Sequence, residues 1–505
     1  MSLSRGSLWR IVLVLLVVGG GVAGVLFAVR ASGEKTRQEA QIRNFCAACH
    51  GFPPADSALR GSWRHHVERG FAFYRMSKRE LDVPDLEATI AYYERNAPET
   101  FPLPDRSSAP GEFGVAYSRL GLTIPRRSEF PVTSNVSIVQ LRGTKREILV
   151  CEAEPLKNLG AVQLFDPETK QWTLLAKLPC PAHAEVVDLD GDGIKDVIVA
   201  CLGSFFPTDE AVGSVAWLRG KPDGTFEVIP LLRGVGRVAD VQAADFDGDG
   251  KLDLVVAEFG WNAIGKVLVL DNKTTDWNSP RFVQRTVDPR TGAIHVPVVD
   301  LNGDGKPDFV ALFSQEHETV VAFLNDGKGN FRQETIYAAP HPAFGSSSIQ
   351  LIDMDGDGDL DVVYAHGDVL SKPFELRPYQ GVWWLENRGT YPFVPHRVSD
   401  MPGVQRAVAA DLDGDGDLDI LAVSYLPTEE FDTQKNDFDA ILILEQTSPG
   451  KFARRRLTSK TCNHFTAAVG KLGNDALPSL IVGNFYSTKD IPLDAAVEIW
   501  SPGRR

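Results

Sequence analysis

The sequence predicts a mainly β fold, a seven-bladed β-propeller with acidic loops, preceded by a small all-α domain and one transmembrane helix. Three observations predict it: a nine-residue acidic loop that occurs five times, a spacing near 55 residues between copies, and a short β-rich run after each loop. At 505 residues the chain exceeds one ordinary domain of about 150 residues. With 43% hydrophobic and 24% charged residues it can build a large core, which excludes a wholly disordered or fibrous chain. The formal net charge of -15 argues against nucleic acid as a partner, since phosphate binding needs a basic face.

The first segment, residues 1–32, contains the apolar run Ile11 to Val29, long enough to cross a hydrocarbon layer about 30 Å thick. A secretory signal has a shorter apolar stretch and a small-residue cleavage site, so the run favours an uncleaved membrane anchor. Arg5 and Arg10 precede it, but Arg30, Lys35, Arg37 and Arg43 follow, so charge alone does not orient it.

Residues Cys46 to His50 read CAACH. This C-x-x-C-H spacing lets the Cys46 and Cys49 thiols bond covalently to haem vinyl groups while His50 ligates the iron. A redox C-x-x-C pair or half a zinc site does not require the following histidine, and no second C-x-x-C completes a zinc tetrad. Glu34 to Phe45 is free of glycine and proline and reads as a helix entering the motif. Asp85 to Asn96 reads as a second, with Leu86, Ile90 and Tyr93 on one face between Pro84 and Pro98.

With these features residues 33–105 resemble a small class I cytochrome c domain. The resemblance implies one covalent haem c and an axial methionine before the last helix, and Met76 is the only methionine in the region. His65 and His66 are rival ligands, because bis-histidine ligation also occurs in such proteins. It also places a carbonyl near Pro53 or Pro54 to fix the ligating imidazole. Haem is attached to such motifs outside the cytoplasm in Gram-negative bacteria. The resemblance therefore implies a cytoplasmic N-terminus and domains that are periplasmic or extracellular.

The acidic loops are DLDGDGIKD, DFDGDGKLD, DLNGDGKPD, DMDGDGDLD and DLDGDGDLD. Their side-chain oxygens fall at positions 1, 3, 5 and 9. These are Asp188, Asp190, Asp192 and Asp196; Asp245, Asp247, Asp249 and Asp253; Asp300, Asn302, Asp304 and Asp308; Asp353, Asp355, Asp357 and Asp361; and Asp411, Asp413, Asp415 and Asp419. Hard oxygens at this spacing, with glycine at position 6 and a carbonyl at 7, match the first nine positions of a calcium loop. Without a cation, carboxylates crowded in one turn repel each other. About five calcium ions are therefore expected, and they would bring the formal charge from -15 to about -5.

An EF-hand would flank each loop with helices. Here the loops run into VIVA, LVVA, FVAL, VVYA and ILAV, so they connect strands. Hairpins such as VAFLNDGKGNF (Val321 to Phe331) follow. Val139 to Val150 and Lys471 to Val482 are degenerate copies that have lost the ligand carboxylates, which makes seven repeats. Four strands per repeat at this period indicate propeller blades, and a calcium-loop β-helix is excluded because it repeats about every nine residues. The blades, residues 111–502, resemble the FG-GAP/VCBS repeat family with its integrin-type calcium propeller, although clear FG-GAP tripeptides are lacking. A strand from Phe113 to Pro125 is expected to close the ring against Val497 to Ser501.

Five positions before each repeat start stand Asn135, His183, Asp240, His295, Ser348, Arg406 and Thr466, with His464 nearby in sequence; in a propeller they share one level of the central channel. Such residues either belong to a wet channel or form a ligand site. Cys151, Cys180, Cys201 and Cys462 allow one or two disulfides after export. No G-x-S-x-G, Walker loop or H-E-x-x-H occurs. The function that follows is electron transfer through a covalent haem, with an unidentified redox partner or small-molecule donor and the propeller as docking platform. The alternatives are an adhesive, glycan- or protein-binding propeller with auxiliary haem, and a propeller oxidoreductase that feeds electrons to the haem.

Overall fold

The computed structural model describes residues 34–48, 50–77, 79–102, 112–125, 131–370, 373–486 and 495–503. The chain divides into two compact units, Met1–Glu99 and Thr100–Arg505. Among the described residues no helix is long and apolar enough to cross a membrane; the apolar run 11–29 lies outside them.

The N-terminal unit is helical. Helix α1 spans residues 34–46, α2 Trp63–Ser77 and α3 Leu86–Asn96. Asp85 caps α3, its side chain accepting the Ala88 N–H at 2.8 Å, a contact typically worth about 1 kcal/mol. Ile42, Phe45, Trp63, Val67, Phe71, Ile90 and Tyr93 form the core, with Trp63 stacked on Tyr93 at 3.9 Å. Helix α2, which has no counterpart among the helices predicted from sequence, supplies one side of that core. Its regular face is interrupted by Gly70 and broken up by charged residues.

The second unit is seven antiparallel sheets, numbered here as blades one to seven. Blade two shows the plan: Pro181–Val187, Asp196–Cys201, Gly213–Gly220 and Phe226–Val235. In blades two to seven the second strands are buried throughout, and their alternation explains the apolar runs. Val197 and Val199 pack toward blade one with Leu149 and Leu164, whereas Ile198 and Ala200 pack toward blade three with Val241 and Val256. Each fully buried aliphatic side chain contributes about 1.5–3 kcal/mol.

Two local departures have clear causes. The first strand of blade four is split into Ala293–His295 and Val298–Val299, because Pro297 has no N–H to give to the ladder. Blade seven takes its outer strand from the start of the unit: Tyr117–Leu122 pairs antiparallel with Val497–Pro502, realising the predicted closure. Arg119 pins it with an ion pair to the buried Glu498 at 2.9 Å. Cys151, Cys180, Cys201 and Cys462 are free and buried, so the disulfides that export would allow are absent among the described residues. Burial pushes the thiols up, Cys180 to about 11 and Cys201 and Cys462 to about 12.

Candidate functional site

In the helical unit, Cys46 ends α1 half-buried against the core, and Cys49 lies outside the described residues. His50 is also half-buried. Its Nδ1 lies 2.7 Å from the Gly51 carbonyl. A carbonyl only accepts, so Nδ1 carries the proton and Nε2 keeps its lone pair, the arrangement an imidazole needs to ligate a metal. The orienting carbonyl is therefore that of Gly51, not that of Pro53 or Pro54. The Pro54 carbonyl instead accepts the Ser57 hydroxyl at 2.7 Å. Burial lowers the His50 pKa, which favours the neutral ring. Arg79 donates to the Ala48 carbonyl at 2.9 Å and ties the chain after α2 to the motif.

Met76 sits in the last turn of α2, 54% exposed. At about 100° per residue it lies opposite the face formed by Trp63, Val67 and Phe71, so the core leaves its thioether unused. His65 is exposed on that same outer face, whereas His66 packs edge-on against Trp63 at 5.8 Å.

In the propeller, four loops gather their position 1, 3 and 5 carboxylates with ligand oxygens within 4.8 Å of one another: Asp188, Asp190 and Asp192; Asp245, Asp247 and Asp249; Asp353, Asp355 and Asp357; and Asp411, Asp413 and Asp415. The remaining loop carries Asn302 between Asp300 and Asp304. Local hydrogen bonds shape each loop. Asp188 accepts the Gly193 N–H at 3.0 Å and Asp192 the Ile194 N–H at 2.8 Å. Gly191 and Gly193, at φ of 71° and 86°, take the left-handed turns that a side chain would strain.

Position 9 has a job that the ligand pattern alone did not reveal. Asp196, Asp253, Asp308, Asp361 and Asp419 open the second strands fully buried and are absent from the tight groups. In each, one oxygen accepts the N–H of loop position 2 and the other an N–H near the end of the third strand. For Asp308 these are Leu301 at 3.1 Å and Asn325 at 2.7 Å. Positions 1, 3 and 5 thus draw together in four of the loops, and position 9 also serves as a clasp. A readable signal was present: Asn272, Asn325, Asn387 and Gln446 recur at the third-strand end, and each side-chain amide donates back to the carbonyl preceding the clasp aspartate.

The seven channel residues occupy equivalent positions. Asn135, His183, Asp240, His295, Ser348, Arg406 and Thr466 pair with Cys151, Ala200, Ala257, Leu312, Ala365, Val423 and Gly483, and a register shift precedes every one of them. Bulges of this kind re-aim the side chain that follows. His183 Nδ1 lies 2.7 Å from Asp240 Oδ1, an ionic contact not aligned as a hydrogen bond, and His295 Nδ1 lies 3.8 Å from Oδ2. Asp240 also accepts the N–H groups of Val241 at 2.8 Å and Val296 at 2.9 Å. Burial alone would raise the Asp240 carboxyl, but the His183 charge overrides it and holds the group below the usual carboxylate range. For His183, burial is outweighed by Asp240 and the pKa rises. Burial and Arg406 push His295 down to about 4. His464, by contrast, is buried and bonded to Asn484 at 2.6 Å.

Fold and loops together define a seven-bladed propeller with acidic loops between the first two strands of five blades. Residues 188–256 and 284–364 match the family model of the FG-GAP-like repeat, so the chain carries FG-GAP-like repeats. None of the curated proteins compared with the chain matches it. Among solved structures, the biofilm matrix protein Bap1 of V. cholerae is similar at 12% identity and a TM-score of 0.41, over 77% of this chain and 91% of that one. BBS1N, from its complex with ARL6DN, is similar at 11% identity and a TM-score of 0.39, over 77% and 97%.

Proposed function

We propose that the chain is an exported, membrane-anchored electron-transfer protein whose propeller serves as a binding platform. The observation that carries this reading is His50. Its Nδ1 proton is held by the Gly51 carbonyl and its Nε2 lone pair is kept for a metal, within a C-x-x-C-H sequence. Cys46 and Cys49 would hold haem c by thioether bonds, and His50 and Met76 are the residues that would ligate its iron. Such a group would supply one-electron transfer. The protein's own part is to fix the imidazole, to pack the motif on the Phe45, Trp63 and Tyr93 core, and to limit water at His50.

In the propeller, about five calcium ions bind to the acidic loops through positions 1, 3 and 5. The clasp aspartates at position 9 each keep lone pairs beyond the two backbone bonds they accept. A tight triad of carboxylates on a short turn favours that reading.

Expression of the full chain in a host that matures c-type cytochromes tests the haem assignment. The reading requires covalently bound haem in the parent and its loss when Cys46 and Cys49 are both changed to Ser. A folded parent that carries no covalent haem overturns it.

A further inference from the structure

The channel ring is polar at all seven positions, but only one sector of it converges. Arg406, from blade six, donates to the Ile349 carbonyl at 3.2 Å, which carries its guanidinium to the first strand of blade five. His295, from blade four, meets the Ser347 backbone on that same strand. Between these contacts stands Ser348, 1% exposed, with a hydroxyl that has no hydrogen-bond partner. A buried hydroxyl without a partner costs about 1–3 kcal/mol, so its persistence here calls for an explanation.

We propose that this sector of the channel holds a small oxyanion, a carboxylate or phosphate group, between Arg406, His295 and Ser348. The chemistry of the surroundings selects an anion. Arg406 and the protonated form of His183 face a single committed carboxylate, Asp240, which already receives two backbone N–H groups. Glu185, the other acid close by, accepts the Ala243 N–H at 2.9 Å, and burial pushes it up to about 7, toward its neutral form. A metal cation is disfavoured, because the Arg406 guanidinium would repel it. Planar guanidinium donors beside a hydroxyl suit a carboxylate or phosphate. The bulge before each ring residue explains how strand positions come to present polar side chains to the channel.

The test is titration of the full chain with sodium phosphate and, separately, sodium acetate at fixed ionic strength with chloride as the balancing anion. Calorimetry and the histidine ring signals in NMR are the readouts. Saturable binding of either probe with movement of the His295 signal supports the site, and whichever probe binds tighter identifies the oxyanion class. Arg406→Gln should weaken binding about tenfold or more, the loss of one charge-assisted contact. Ser348→Ala should weaken it less. If neither probe binds more tightly than chloride, or if Arg406→Gln binds like the parent, the proposal is overturned. Should Arg406→Gln fail to fold, Arg406→Lys decides: it keeps the charge but loses the planar fork, so parental affinity there counts against the site. Neither readout uses the haem, so this result stands apart from the electron-transfer reading.

Discussion

Asp253 Oδ1 accepts the backbone N–H of Asn272 at 2.7 Å, nineteen residues along the chain, while its other oxygen holds Phe246 N–H at 3.2 Å. One buried carboxylate thus fastens the acidic loop, the second strand and the end of the third. Asp253→Ala strands both donors in the interior, at about 1–3 kcal/mol each. We expect it to destabilise the propeller by about 2–5 kcal/mol in urea unfolding at saturating calcium, with Asp253→Asn losing roughly half as much. A loss below about 1 kcal/mol for the alanine variant would show that the clasp is dispensable.

The acidic loops differ in what already neutralises them. Arg219 sits 2.6 Å from Asp190, and Lys273 sits 2.8 Å from Asp247 and holds its carboxyl below the ordinary range. Asp355 and Asp413 are instead raised by burial and by neighbouring aspartates. Calcium removal should therefore lower the propeller's melting temperature, with the loops of Asp353 and Asp411 filling first on back-titration. Each site that binds only the folded loop adds about 2.7 kcal/mol at a hundredfold excess over its dissociation constant. Isothermal titration of Asp355→Asn and Asp190→Asn checks the order: the first should remove a tight phase and the second a weak one. An unchanged melt after verified chelation overturns the metal assignment.

The blade count and the loops were legible because a propeller repeats its register, so five sets of aspartates announced themselves at one spacing. Equivalence of the seven channel residues was legible for the same reason. The clasp role was missed, because the partners of Asp196 or Asp419 are backbone N–H groups up to 27 residues away, and its one mark in the sequence is the amide that recurs at Asn272, Asn325, Asn387 and Gln446. The bulges that aim His183, Ser348 and Arg406 were silent. Helix α2 was missed because Gly70 and its charged residues break the apolar period that revealed α3.

Glu318 gives a pH test independent of any ligand. Its carboxylate is buried and accepts the Ser346 N–H at 2.8 Å, yet desolvation outweighs that bond and pushes its pKa up to about 8. The folded state therefore keeps a proton that the unfolded chain releases near 4.5, so stability falls as pH rises between those values. Glu318→Gln, which keeps an acceptor for Ser346, should flatten that slope and leave the variant the more stable protein above pH 8. Denaturant midpoints from pH 5 to 9 measure it, and parallel curves for the two proteins would mean that Glu318 is ionised in the fold.

The sixth iron ligand is the sharpest test of the haem reading, because the structure gives its candidates different surroundings. Met76 lies on the outer face of α2, where its thioether can be replaced without disturbing the core. His66 packs on Trp63, so changing it also disturbs a core aromatic. Met76→Ala should remove the weak long-wavelength absorption of oxidised methionine-ligated haem and lower the reduction potential, while the thermal unfolding of the helical unit changes little. His66→Ala should do the reverse, lowering stability and keeping that absorption. If the parent protein lacks the long-wavelength absorption and a substitution of His65 or His66 alters the spectrum instead, the iron is bis-histidine ligated and the role of Met76 falls.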